Sequence, residues 1–224
     1  MSQPAQSRDI YSCLMFLLQI QPKEAIANSP ILQWGSLFKS LRLQKEDHLL
    51  IRGGTTSVGL AAAALAKSMC NFVAVTTRKS EREQILKENG ANEVYIDNGS
   101  IAEEVKNRHP EKFSKILELV GVTTLADSMK CASDNGIVCA TGIAGGKWVM
   151  ENFFPNAVIP TSVCLTTFSS TVPLFMATPL EEIAKKMVDG SFTFPIKTYT
   201  LDQIVEAHQA MDDSTALAKI VVLI

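Results

Sequence analysis

The stretch Gly53-Gly54-Thr55-Thr56-Ser57-Val58-Gly59 stands between the apolar run "HLLI" and an alanine-rich segment with helical spacing, "LAAAALAK". Glycines remove side chains where a backbone must turn sharply, and Gly59 lets a following helix press against a sheet. The first N–H groups of a helix lack intrahelical acceptors and carry the positive end of its dipole. A turn of this kind therefore presents donors to a phosphate or pyrophosphate. Against the fingerprint GxGxxG, Gly54 and Gly59 match and Thr56 takes the middle place, so the bare motif is degraded. Small-residue turns also occur in sheets that bind nothing; the position of this one, after the first strand of an alternating pattern, favours the ligand.

The second informative stretch is "VAVTTRKSER". A dinucleotide fold that takes NAD carries an acidic residue about 20 positions after the turn, bonded to the ribose 2′-OH. Here Thr77 stands there, followed by Arg78 and Lys79. Hydroxyls and cations accept a 2′-phosphate that a carboxylate would repel, which favours NADP(H) over NAD(H). The alternative is a solvated basic helix start.

Two further runs end in glycine: Val120-Gly121-Val122 and Thr141-Gly142-Ile143-Ala144-Gly145-Gly146. Ligands of open α/β sheets lie at the carboxyl ends of strands, so Val120, Gly121, Gly142 and Ile143 would let backbone approach the nicotinamide half. Ordinary loops have the same spacing. Lys147-Trp148 would either line a substrate cleft or pack at a loop junction. His48, His109 and His208 are scattered and read as structural. No GxSxG elbow surrounds Thr56 or Ser57, which reads them as pyrophosphate contacts rather than nucleophiles.

The elements that must position these residues alternate. Strands are expected at His48 to Ile51, Phe72 to Thr76, Glu93 to Ile96, Lys115 to Val120, Gly136 to Thr141 and Val163 to Phe168. Helices are expected at Ile31 to Leu43, Leu60 to Met69, Glu81 to Glu88, Ser100 to Arg108 and Leu125 to Cys131. Near-continuous apolar strands separated by helices predict a doubly wound parallel α/β sheet buried on both faces. The tail differs in kind, with helices at Leu180 to Val188 and Leu201 to Met211 and strand-like runs at Ile196 to Tyr199 and Ala218 to Ile224, as expected for part of another lobe.

The 224 residues carry 21 basic and 23 acidic side chains, a formal charge of −2, with no basic run long enough to track a phosphate backbone, which excludes nucleic acid as the expected partner. Five cysteines (Cys13, Cys70, Cys131, Cys139, Cys164) lack any CxxC pair and read as small buried hydrophobes in a reducing compartment, with no metal expected. The apolar run Ile10 to Leu18 is too short to span a bilayer, and no secretory signal is recognised, so a cytoplasmic protein is expected.

Taken together, "LLIRGGTTSVGLAAAALAK", "VAVTTRKSEREQILKENGANEV", "ILELVG", "GIVCATGIAGGKW" and "LDQIVEAHQAMDDSTALAKIVVLI" resemble the medium-chain dehydrogenase/reductases, in particular the zinc-independent, quinone oxidoreductase-like branch, from about Glu24 to the end. The resemblance implies a Rossmann domain over residues 24–176, a C-terminal segment over 177–224 that completes a GroES-like catalytic domain, and a tail over 1–23. It also implies NADPH as hydride donor, a quinone or other activated carbonyl or enone as small-molecule substrate, no catalytic zinc, and a homodimer paired through the edge strand at Val163 to Phe168. The family places most of its catalytic domain ahead of the nucleotide fold, and that domain is expected to be missing here. Its usual glycine before the final Lys-Ile-Val-Val is Ala218. Besides a reductase, these features are compatible with a catalytically impaired NADP-binding module acting in binding or interaction. A Rossmann-like methyltransferase is disfavoured, since it too wants an acid where Thr77 stands.

Overall fold

The computed structural model describes residues 30–213 and 215–223. The expectations that fall on the N-terminal tail, among them Cys13 and the run Ile10 to Leu18, lie outside the described residues.

The β-branched and leucine-rich runs form six parallel strands: β1 (His48–Arg52), β2 (Phe72–Thr77), β3 (Glu93–Ile96), β4 (Phe113–Glu118), β5 (Ala132–Ala140) and β6 (Cys164–Thr167). They line up in the order β3-β2-β1-β4-β5-β6. Leu49 pairs with Val73 on one side and with Lys115 on the other, so the strand order reverses between β1 and β4. The expected doubly wound α/β fold is thus present.

Alternation along each strand splits the core in two. Leu49, Ile51, Val73, Val75 and Leu117 face one apolar cluster; Leu50, Ala74, Ile116 and Val138 face the other. Side chains of successive strand residues point to opposite faces, so the inner stretches of β1, β2, β4 and β5 feed both clusters, which is why they are apolar; the edge strand β6 departs from the expectation of burial on both faces, with Cys164 and Thr167 exposed. Over the first face lies α2 (Ser57–Ala66), preceded by α1 (Pro30–Trp34). After Trp34 the helix widens into one π-helical stretch, Gly35–Ser40, closed by Leu41 N–H donating to Ser36 O at 2.9 Å. A Cβ on Gly35 would stand 1.9 Å from the Phe168 ring, so glycine there lets the ring just beyond β6 seat against the backbone.

The helices α3 (Glu83–Glu88), α4 (Ala102–Arg108) and α5 (Leu125–Lys130) link the next strands, with the short α6 (Pro155–Val158) before β6. Beyond it come α7 (Val172–Met176), α8 (Leu180–Val188), β7 (Ile196–Thr200), α9 (Ile204–Asp212) and β8 (Lys219–Leu223). β7 and β8 pair in parallel as a separate two-stranded sheet. The tail is anchored to the first apolar cluster through Ile183, Phe192 and Phe194.

Several bounds differ from the sequence reading. β4 ends at Glu118, because Val120 and Gly121 turn back to bond the Glu118 carboxylate. β5 starts early, at Ala132, and takes in the polar Ser133-Asp134-Asn135, with Asn135 at φ 61°. Cys70, Cys131 and Cys139 are buried free thiols, and burial pushes the first two up to about 11 and about 12. Cys164 corrects the expectation: on the outermost strand it is exposed. Among the described residues no helix is long and apolar enough to cross a membrane.

Candidate functional site

The turn after β1 is tied to β2. Gly53, at φ 90°, donates its N–H to Thr76 Oγ1, and Gly54 donates to Thr76 O, both at 3.0 Å. Thr56 caps α2: its hydroxyl accepts from Gly59 N–H and donates to Gly53 O, both at 2.9 Å. That hydroxyl is consumed by the turn itself. The N–H groups of Thr55, Ser57 and Val58 find no acceptor among the described residues, as expected for a helix start. A Cβ on Gly59 would lie 2.5 Å from Gly53 O and 2.8 Å from Gly54 Cα, so only glycine lets the helix close onto the turn.

Behind the turn lies a buried ionic network that the sequence reading missed. Arg52, the last residue of β1, has no exposed surface. Its Nε and Nη2 donate to Asp97 at 2.8 and 2.9 Å, and its Nη1 donates to Asp127 at 2.7 Å and Ser128 Oγ at 3.1 Å. Burial pushes both aspartates up, but the Arg52 guanidinium and backbone N–H groups (Gly99 for Asp97, Ile101 for Asp127) outweigh it and hold them below the usual carboxylate range. Glu118 is equally sealed, accepting from Val120 and Gly121 N–H at 2.7 and 2.9 Å and from the Thr124 and Ser128 hydroxyls. Its burial raises its pKa against those bonds.

At the end of β2, Thr77 Oγ1 accepts from Lys79 N–H at 3.2 Å, which closes a tight turn with Arg78 at its apex. At the ends of β4 and β5, Ala144 and Gly145 donate to Leu119 O and Val120 O. A Cβ on Gly142 would come within 2.2 Å of Leu119 O; this glycine permits two loops to lie backbone to backbone.

These segments enclose a cleft of about 900 Å³ at the carboxyl ends of the strands. Of the residues singled out from sequence, Thr55, Thr56, Ser57, Val58, Thr77, Arg78 and Val120 line it together. Gly54, Gly59, Lys79, Gly121, Gly142 and Ile143 stand beside it without lining it, and the glycines among them set backbone approach. Trp148, 62% exposed, neither lines the cleft nor packs at a junction.

Among the lining residues that the sequence did not single out, two carry polar groups without a partner. Lys219, at the start of β8, has no carboxylate partner among the described residues, and burial alone pushes its ammonium pKa down. Gln33, on α1, is 1% exposed, and neither its Nε2 nor its Oε1 has a hydrogen-bond partner. The sequence signal for Lys219 was its place in the closing Lys-Ile-Val-Val; Gln33, among Trp34, Ser36 and Ser40, left none. Among the described residues no group of three or more His, Cys, Asp or Glu could hold a metal ion, so this donor set does not fit a zinc centre.

A parallel sheet in the order 3-2-1-4-5-6, with a ligand-sized cleft where that order reverses, defines a Rossmann-type fold of the dinucleotide-binding class. The family model described as zinc-binding dehydrogenase matches residues 89–222, and the chain belongs to that family. It is 26% identical over 216 residues to a quinone oxidoreductase of Lama guanicoe, covering 92% of this chain and 63% of that one. A mycobacterial protein solved with NADPH superimposes with a TM-score of 0.77 at 22% identity, over 92% of this chain and 65% of that one. The Escherichia coli quinone oxidoreductase, also solved with NADPH, gives 0.78 at 18% identity, over 92% and 66%. At such identities the two structures speak for the fold. The chain spans less than two thirds of the length of each of these relatives.

Proposed function

We propose that the cleft binds NADPH and that the chain serves an oxidoreductase that reduces a quinone or another activated carbonyl or enone. The observation that carries the reading is the pairing, in one cleft, of three acceptor-less N–H groups at the start of α2 with the half-buried Lys219, which has no carboxylate partner among the described residues. Helix-start donors beside a desolvated cation fit a pyrophosphate, and the orphaned amide of Gln33 marks a further polar contact left for a ligand. Bound NADPH would supply the hydride.

The chain's own residues would orient and select. Thr55, Ser57 and Val58 would donate backbone N–H groups to the pyrophosphate, with Gly54, Thr56 and Gly59 holding the turn. Thr77, Arg78 and Lys79 would receive the 2′-phosphate, since no free carboxylate competes there: Asp97, the nearby acid lining the cleft, is neutralised by Arg52. Val120, Gly121, Gly142 and Ile143 would set the floor under the nicotinamide. The relatives' names and their NADPH complexes support this choice of cofactor and substrate class. β6 as the outermost strand supports a homodimer by edge pairing, and buried free thiols fit a reducing, cytoplasmic setting.

Fluorescence titration with NADPH and NADH, followed by addition of a simple quinone, tests the reading. NADPH binding that weakens in Arg78→Ala, Lys79→Ala, with quinone-dependent oxidation, supports the reductase. Binding without turnover leaves a cofactor-binding module, and absence of NADPH binding sinks both.

A further inference from the structure

Among the described residues, buried side-chain nitrogen and oxygen atoms without a hydrogen-bond partner occur on Gln33 and Tyr95, and of the two only Gln33 lines the cleft. Its place along the cleft is fixed from two sides. Three residues on, Ser36 Oγ meets Thr141 Oγ1 at 3.0 Å, directly after the end of β5. Gly35 seats the Phe168 ring just past β6. Gln33 therefore overhangs the β4-to-β6 half, across the switch point from Thr77 and Arg78. A dinucleotide with its 2′-phosphate at Arg78 and its pyrophosphate at the α2 start brings its nicotinamide end to that half.

The two orphaned atoms also specify the ligand's chemistry. A carboxamide offers one acceptor and an NH2 donor side by side. A phosphate or a quinone carbonyl presents acceptors only and would leave Oε1 unpaired. A second carboxamide satisfies both atoms at once. Resting on the NADPH reading above, we propose that the Gln33 amide pairs with the nicotinamide carboxamide, its C=O accepting from the ligand's N–H and its own N–H donating to the ligand's C=O. Two such bonds fix which way the ring is turned. The amide is sealed from water, so the pairing takes a rotation of the side chain into the cleft, driven by the bonds it now lacks.

Calorimetric titration of wild type and Gln33→Leu with NADP⁺, its 3-acetylpyridine analogue and adenosine 2′,5′-bisphosphate tests this. The analogue lacks the amide N–H and the bisphosphate lacks the nicotinamide altogether. Gln33→Leu is expected to lose about tenfold in affinity for NADP⁺, as two neutral hydrogen bonds allow, and to bind the bisphosphate as wild type does. Its thermal midpoint without ligand is expected to rise, because an unsatisfied buried amide is removed, which a structural role for Gln33 would not produce. Unchanged NADP⁺ affinity, or a parallel loss for the bisphosphate, overturns the pairing while leaving the cofactor reading standing. Should Gln33→Leu not fold, wild type decides: weaker binding of the analogue than of NADP⁺ supports the pairing, and equal binding overturns it. Wild type that takes up neither NADP⁺ nor the bisphosphate overturns the cofactor reading and this inference with it.

Discussion

Arg52 and Asp97 meet over the top of β2 in a two-pronged ion pair, Nε to Oδ2 at 2.8 Å and Nη2 to Oδ1 at 2.9 Å, although Arg52 ends β1 and Asp97 directly follows β3, two strands that β2 separates. Between them Thr76 Oγ1 reaches Asp97 Oδ2 at 3.3 Å and receives the N–H of Gly53. The ion pair thus extends into the first residue of the phosphate-type turn. Replacing Arg52 by Met leaves two mostly buried carboxylates without their cation, and breaking such a buried pair costs about 3–5 kcal/mol. Urea unfolding of Arg52→Met measures it; a loss under about 1 kcal/mol, the size of an exposed pair, would mean that Asp97 and Asp127 are satisfied without Arg52.

The same network sets the acid limb of stability. Asp97 and Asp127 are held below their unfolded value near 4, so the stability they contribute is complete above about pH 4 and drains as pH falls through their lower folded values. Glu118 runs the other way: its folded pKa is raised, so its ionisation weakens the fold as pH climbs above about 4.3. Thermal midpoints between pH 7 and pH 3 are expected to drop below pH 4, with a shallower drop in Asp97→Asn, Asp127→Asn. Parallel curves for variant and wild type would remove these two aspartates from the acid response.

Lys219 stands at the cleft as an unpaired cation with a depressed pKa. An anion bound beside it would restore that pKa, so binding takes up protons and NADPH affinity falls as pH rises through the lowered value. Lys219→Met is expected to bind NADPH about 10- to 100-fold more weakly, the range of a hydrogen bond to a charged group, with a flatter pH profile. Fluorescence titration from pH 7 to pH 9.5 reads both. A variant as tight as wild type would take Lys219 out of the site.

Gly59 tests whether the turn must be this tight. In Gly59→Ala the new methyl would stand 2.5 Å from Gly53 O, and relieving such a contact typically costs about 1–3 kcal/mol. Because the atoms displaced belong to the turn, NADPH affinity is expected to fall together with the urea midpoint, whereas stability lost with affinity intact would detach the turn from binding.

The sheet was legible because the inner stretches of β1, β2, β4 and β5 bury both faces and so must be apolar; Leu49 and Leu50 serve opposite clusters from adjacent positions. The turn was legible because glycine and a helix start leave a local mark. Arg52 was not, since its partners sit 45 and 75 positions away and only the fold brings the end of β1, the residue after β3 and the start of α5 together. Gln33 and Lys219 failed for the same reason: each is ordinary among its neighbours in sequence, and only the packing of α1 and β8 over the cleft makes it unusual. The early start of β5 escaped because Ser133-Asp134-Asn135 has none of the composition of a strand.

The reversal of strand order between β1 and β4 bears on how the chain assembles. β1 finds β2 after one helix, whereas its other edge must wait for β4, with three α-helices and two strands intervening. Closing the longer loop sacrifices more chain entropy before any contact rewards it, so the join between the halves is the slow step that topology imposes. The crevice lies on that join. Whatever binds across it clasps the two halves where the polypeptide itself brings them together last, and so acts on the lifetime of the folded state as well as on its chemistry.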